Sequence, residues 1–150
     1  MNRSTWLSDS QAIEKPWGHE TQWTTMLPLD GKVLYIDCGA RTSMKVFPSK
    51  DEVLFVQKGT VRATIADEDI FTENMSSVRR VDMVEGSVLN IQAGCPYRLE
   101  AIGSDCIVIE MSAGNSHGCT RLIDDFGRDT NCKKADIIKA KLERLENDSN

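Results

Sequence analysis

The sequence predicts an all-β domain, a sandwich or a barrel, followed by one short amphipathic helix at the C-terminus. Three observations carry this expectation. Between Val33 and Met111 the chain is a series of short β-rich runs separated by Gly and Pro, the pattern of sandwiches and barrels. Helical periodicity enters only near the end, where Ile138, Leu142 and Leu145 recur with Lys and Glu on the other side. The chain has 150 residues, 40% hydrophobic and 27% charged, enough for one domain with its own core.

Taken in order, residues 1–14 are polar and read as a flexible leader. Lys15-Pro16-Trp17-Gly18 is a breaker-rich turn, and Glu20 to Met26 alternates as a strand. Val33 to Ile36 is a second strand, and Thr42 to Phe47 is a third, stopped by Pro48. Glu52 to Gln57 is a fourth, closed by Lys58-Gly59. Thr60 to Ala66 follows, with Val61, Ala63 and Ile65 on one face. Ser87 to Ile91, Tyr97 to Ala101 and Cys106 to Met111 complete the series. Asp67 to Arg80 is polar and aperiodic, a long hairpin excursion. Residues 114–132 look irregular, Lys133 to Glu146 forms the helix, and Asn147 to Asn150 frays. The organisation is a leader over 1–14, a barrel over 15–130 and a helix with tail over 131–150, without internal repeats.

Composition excludes several classes. A net charge of −5 disfavours a phosphate backbone as partner, so no nucleic acid is expected. A local basic pocket is still compatible with one small phosphorylated ligand. No run approaches the roughly 20 apolar residues of a membrane span, and the first ten residues lack an apolar signal core. The expected location is the cytoplasm. Cys38, Cys95, Cys106, Cys119 and Cys132 are an odd number with no C-x-x-C pair, which fits free thiols in a reducing compartment. Cys38 and Cys106, in apolar runs, are expected to be buried. His19 and His117 alone cannot build a histidine metal site.

Two stretches carry a family resemblance. Gly39 to Gly59 holds Lys45, Phe47 and Glu52 at the spacing of G-x5-H-x-H-x4-E-x6-G. Gly86 to Tyr97 follows G-x5-P-x-G-x2-H, with Gln92 at the proline position. These resemble the two cupin motifs, so the resemblance implies a double-stranded β-helix, the jelly-roll cupin barrel. Lys15-Pro16-Trp17-Gly18-His19-Glu20 is similar to the K-P-W-G-x-E opening of mannose-6-phosphate isomerase-like cupins. Gly39-x-Arg41-Thr42-Ser43-Met44 and Arg121 to Arg128 are similar to their G-x-R-x-S-L and R-x-x-D-x-Y-G-R segments. The resemblance covers roughly residues 15–129 and implies sugar metabolism and homodimers.

The family's four metal-ligand positions fall on Lys45, Phe47, Glu52 and Tyr97. An ammonium and a phenyl ring donate nothing to a divalent metal, and one carboxylate with one phenol makes a poor site. No metal and no cofactor are expected there. A buried Glu52 needs a counter-charge, and Lys45 is expected to supply it, with Tyr97 facing them across the cavity. Lys45, Glu52 and Tyr97 are the candidate catalytic residues. Arg41, Lys50 and Arg98 are candidate ligand-binding cations for a phosphate, or solvated surface charge. Phe47 is a candidate ligand-contacting wall, and with Leu54, Val56, Val88, Ile107 and Ile109 it is assigned to the core. Trp17 plugs a barrel end or a dimer interface. His19 is expected to be exposed, and Arg121, Asp124, Asp125 and Arg128 to brace the C-terminal segment.

Three function classes stay open. One is a metal-free binding module for a small polar ligand, a sugar or sugar phosphate. Another is a sugar-phosphate or nucleotide-sugar isomerase or epimerase using Lys45, Glu52 and Tyr97 as acid and base. The last is a structural homodimerisation domain whose cavity is closed by Phe47, Met44 or Met83. An open polar cavity favours the first two.

Overall fold

The computed structural model describes residues 3–23, 27–67, 78–113, 119–130 and 135–148. Among the described residues nine strands and one helix follow in chain order: β1 (Gln11–Lys15), β2 (Gly18–Trp23), β3 (Leu29–Ile36), β4 (Met44–Val46), β5 (Asp51–Ala66), β6 (Val78–Met83), β7 (Val88–Ile91), β8 (Tyr97–Ala113), β9 (Thr120–Ile123) and α1 (Ala135–Asp148). All the strand pairings are antiparallel. The sheet curls into a barrel with two halves that share β5 and β8. One half runs β1-β2-β3, then the second part of β8, the first part of β5, and β7. The other runs β9-β4, then the first part of β8, the second part of β5, and β6.

β5 and β8 are each longer than the sequence reading, which split both at their turn-like residues. The two strands stay paired through the region, with register shifts at Val56/Lys58 and Lys58/Thr60. Gly59 explains why the chain bends without ending. It has φ of 85°, and a Cβ there would lie 2.7 Å from Cys106 Sγ and 2.9 Å from Asp105 O. A bulge glycine lets one long strand serve both halves of the barrel.

Three strands lie where none was expected. β1 falls in the supposed leader, β6 begins in the supposed excursion, and β9 lies in the supposed irregular stretch. Most of the excursion, residues 68–77, and the stretches 114–118 and 131–134 lie outside the described residues, as do His117 and Cys132.

Alternation along the strands sorts the side chains. On β5, Glu52, Leu54 and Val56 face inward while Phe55 is exposed. On β8 the inward set is Cys106, Val108, Glu110 and Ser112. Ile107 and Ile109, expected in the core, are therefore half-buried on the outer face. Val88 is also outward, beside Phe55 in the β5–β7 ladder. Cys106 is buried, but Cys38, in the turn after β3, is exposed. Cys38, Cys95, Cys106 and Cys119 are free thiols.

The main core joins Trp17, Leu34, Ile36, Leu54, Val56, Val61, Met83, Leu99 and Val108 between the two halves. A second cluster lies outside the β9-β4 half. Met44, Val46, Ala66, Val78 and Leu122 pack there around Leu142 of α1. The helix thus docks on the barrel, and Arg80 pairs with its Glu146 at 2.8 Å. Because Met44 and Val46 turn outward beneath the helix, Lys45 between them turns inward.

Candidate functional site

A chamber of about 410 Å³ opens in the barrel beside β1, β2, β3 and β4, within the usual range for small-molecule sites. Trp17, Trp23 and Phe47 supply its apolar wall, and Gln22, Thr42 and Ser43 supply neutral polar groups. Cations dominate the rest: Lys15, Lys32, Lys45, Lys50, Arg121 and Arg128, against Glu20 and Asp30. The chamber is not filled. Met44 lies under the helix, Met83 belongs to the core, and Phe47 is a wall.

A chain of contacts joins Tyr97, Glu52 and Lys50. The Tyr97 hydroxyl donates to Glu52 Oε1 at 3.0 Å. Lys50 Nζ sits 3.7 Å from Glu52 Oε2, with both side chains almost fully buried. Glu52 Oε2 accepts no hydrogen bond. Lys50 Nζ also lies 4.2 Å from the centroid of the Phe47 ring. Burial pushes the Tyr97 phenol above its ordinary range, with Lys45 opposing. Burial pulls the Lys50 amine below its ordinary range, with Glu110 opposing and Lys32 and Lys45 adding to the fall.

The expected counter-charge for Glu52 is corrected here. Lys50 makes that ion pair, and Lys45 has no carboxylate within 4.0 Å among the described residues. Strand register gives the reason. Lys45 is the direct cross-strand partner of Tyr97, so Tyr97 is its neighbour and does not face it across the cavity. Lys45 Nζ lies 5.4 Å from the Tyr97 ring centroid and 5.7 Å from that of Phe47. Burial disfavours its charge, but Tyr97 and Glu110 outweigh this and hold its pKa above the ordinary lysine value. At neutral pH the Tyr97 phenol is protonated, so the favourable field on Lys45 comes from Glu110 and Glu20.

A second acidic group involves Glu20 of the chamber wall and the buried Glu110. Lys32 Nζ is 3.8 Å from both Glu20 Oε2 and Glu110 Oε2, and Lys15 Nζ is 4.0 Å from Glu20 Oε1. Gln22 donates to Glu20 at 2.9 Å. Neither oxygen of the buried Glu110 accepts a hydrogen bond. Burial lowers the pKa of Lys15, Glu20 opposes it, and Lys32, Lys45 and Arg128 lower it further. The cations of the chamber therefore crowd one another.

Arg121 has the most exceptional environment. It is the β9 register partner of Lys45, so the two cations stand side by side. Arg121 Nη1 donates to Asp129 O at 3.1 Å, while its buried Nε has no partner. It lines the chamber as well as bracing the segment after β9. The other expected braces form: Arg128 pairs with Asp124 at 2.7 Å, and Asp125 takes Arg41 and Arg98.

Of the expected ligand-binding residues, Arg41 and Arg98 do not line the chamber. Arg98 follows the inward Tyr97 and so points away from the chamber, donating to Thr42 O at 3.1 Å and Asp125 at 3.3 Å. Arg41 makes a two-bond pair with Asp125 on the surface. Lys45, Phe47, Lys50, Glu52 and Tyr97 do come together. Sequence reasoning missed Lys15, Glu20, Lys32 and Arg121 as chamber residues, and Glu110 as the partner of Lys32. His19, half-buried on the outer face, stacks on Tyr35 at 4.3 Å.

The four positions where cupin motifs place metal ligands do not fit a divalent metal. Glu52 is the one hard-metal donor among them, and its oxygens face the Tyr97 hydroxyl and the Lys50 ammonium. Among the described residues no group of three His, Cys, Asp or Glu is placed to hold a metal.

No family model matches this chain, and no curated protein matches it. Solved structures do. The oxalate decarboxylase of Lactobacillus farciminis, in a formate complex, superposes with a TM-score of 0.68 at 20% identity, covering 95% of this chain and 43% of the other. The Bacillus subtilis oxalate decarboxylase gives 0.68 at 17% identity, covering 93% and 37%. The capsular polysaccharide assembling protein CapF of Staphylococcus aureus gives 0.61 at 15% identity, covering 71% and 31%. The chain spans less than half the length of each of these proteins. These likenesses establish the cupin jelly-roll fold.

Proposed function

We propose that the chamber binds a small polar ligand bearing an acidic group, with a sugar phosphate as the leading class. One observation carries this reading. Among the described residues, Lys45 and Arg121 stand together in the cavity wall without an acidic partner, and Arg121 Nε is buried and unbonded. A buried donor without a partner costs roughly 1–3 kcal/mol, and an oxyanion between the two cations would remove that cost.

Further features support the sugar. Trp17 and Phe47 offer flat apolar faces, while Gln22, Thr42 and Ser43 offer hydroxyl-matching groups. The K-P-W-G-x-E opening and the R-x-x-D segment resemble mannose-6-phosphate isomerase-like cupins. CapF is described as assembling a capsular polysaccharide, and the L. farciminis enzyme holds formate, a small carboxylate. Binding is proposed to need no metal, since Lys45 supplies positive charge at a position where other cupins place a ligand.

Isothermal titration calorimetry tests the reading. Mannose 6-phosphate and inorganic phosphate should bind, each excluding the other, and should bind equally after chelation of divalent metals. Unphosphorylated mannose should bind far more weakly. Equal binding of mannose and its phosphate, or binding that requires added metal, would overturn the proposal.

A further inference from the structure

We propose that Lys50 is a nucleophile that forms an imine with a carbonyl group on the chamber's anionic ligand. The inference rests on the anion-binding reading for delivery of that ligand, but it is carried by different residues. The ligand class it names is an oxo acid or an aldehyde- or ketone-bearing sugar phosphate.

Three observations converge on Lys50. Its amine is almost wholly buried and yet belongs to the chamber wall. Glu52 Oε2, 3.7 Å away, accepts no hydrogen bond and is free to exchange a proton with it. Tyr97 holds the other oxygen of the same carboxylate at 3.0 Å, so the acid is fixed in place. The Phe47 ring, 4.2 Å from the amine, keeps one side of it dry. A desolvated amine beside other cations and a positioned acid–base group is the arrangement that activates lysine toward carbonyls. The lowered pKa of Lys50 agrees with this, whereas Lys45 keeps its proton and serves the anion.

The step balances within this set. The Lys50 ammonium passes a proton to Glu52 Oε2, and the free amine attacks the carbonyl carbon. A carbon–nitrogen bond forms as the carbonyl π pair moves to oxygen, which takes the proton from Glu52. The resulting carbinolamine nitrogen loses a proton to Glu52. The hydroxyl then leaves as water with that proton, and a protonated imine remains. One carbonyl and one ammonium thus give one iminium and one water, with Glu52 returned as carboxylate. No oxidant or reductant takes part.

The test traps the adduct on the full wild-type chain. Glyoxylate, pyruvate and glyceraldehyde 3-phosphate are each incubated with the protein and reduced with sodium borohydride. Intact mass and peptide mapping follow. The expected result with at least one of them is a single adduct on Lys50, formed about tenfold more than on any other lysine because the chamber orients the reactants. Inorganic phosphate should suppress it, and Lys50→Arg, which keeps a cation beside Glu52, should abolish it. The wild-type map decides the matter even if that variant fails to fold. Adducts concentrated on Lys15 or Lys45, adducts scattered over the surface, or none with any probe would overturn the inference. Phosphate binding without a Lys50 adduct sinks this inference alone. A Lys50 adduct without phosphate binding upholds it and sinks the anion reading.

Discussion

Replacing Arg121 with Gln separates a ligand-binding residue from a brace. Among the described residues its guanidinium makes one hydrogen bond, from Nη1 to the exposed Asp129 O, and leaves Nε buried and unpartnered. Losing the first contact, a charged hydrogen bond, costs about 1.5–3 kcal/mol, and removing the orphaned donor returns about 1–3 kcal/mol. The two effects offset, so Arg121→Gln should fold with a stability within about 1 kcal/mol of wild type. Anion binding behaves differently, because the charged hydrogen bond to the ligand has no replacement. A contact of roughly 1.5–3 kcal/mol corresponds to a ten- to hundredfold weaker affinity, at about 1.4 kcal/mol per factor of ten. Urea denaturation without ligand and calorimetry with mannose 6-phosphate read the two quantities. A stability loss above about 3 kcal/mol would identify Arg121 as a structural brace. An affinity within about twofold of wild type would refute the anion seat.

Other perturbations test the rest of the structure. Tyr97→Phe removes the donor to Glu52 Oε1 and should cost about 1–3 kcal/mol in denaturant unfolding, since a buried carboxylate oxygen loses its partner; an unchanged midpoint would show that Glu52 is not held by Tyr97. Asp125 is kept below the ordinary carboxylate range first by the Arg41 hydrogen bond, against burial, with Arg98 adding to the fall. Its stabilising contribution is therefore present above the unfolded carboxylate pKa of about 3.9 and is lost as pH falls through the lower folded value. Asp125→Asn should cost on the order of 1 kcal/mol at neutral pH, discounted because the carboxylate is about one-third exposed. The gap to wild type should close as acid titrates Asp125, so a gap that persists in strong acid speaks against the clasp. Gly18 has φ of 145°, and a Cβ there would lie 1.9 Å from Tyr35 O, so Gly18→Ala should cost more than about 3 kcal/mol. Gly39→Ala, with φ of 78° and nothing within 4 Å, should cost only the left-handed strain of about 1–2 kcal/mol; thermal unfolding that ranks the two the other way contradicts the β2–β3 packing.

The sequence exposed the site unevenly, and strand phase explains where. Lys45, Phe47 and Glu52 were legible because one motif carries both their spacing and the turn between them. Arg98 was misplaced although alternation from Tyr97 already sends it outward. Lys32 was readable in phase with Leu34 and Ile36, which are buried. Glu110 was not, because Ile107, Ile109 and Met111 make the outer face of that strand as apolar as the inner one. With both faces hydrophobic, period-2 reasoning has no phase to detect. β1 and β9 escaped for a related reason. They lie on the edges of the sheet and carry few apolar residues, so the hydrogen bonds of β2 and β4 decide their conformation more than local propensity does. Arg121 could not be recognised as a chamber residue until β9 was placed against β4.

The chamber reverses the charge of the molecule around it. A chain of net charge −5 repels approaching anions, a repulsion that salt screens beyond a Debye length of about 8–10 Å. Inside the barrel, however, Lys15 already feels Lys32, Lys45 and Arg128, and Lys50 feels Lys32 and Lys45. Such a field is short-ranged, so the proposed seat would favour an anion small enough to enter and give nothing to an extended polyanion outside. Glu20, Glu52 and Glu110 limit the crowding by pairing with Lys15, Lys50 and Lys32. Lys45 and Arg121 are left over, adjacent, from strands that meet only when β9 closes on β4. On the proposed reading, the same closure that completes the barrel completes the anion seat, so ligand recognition would depend on the docking of the C-terminal segment.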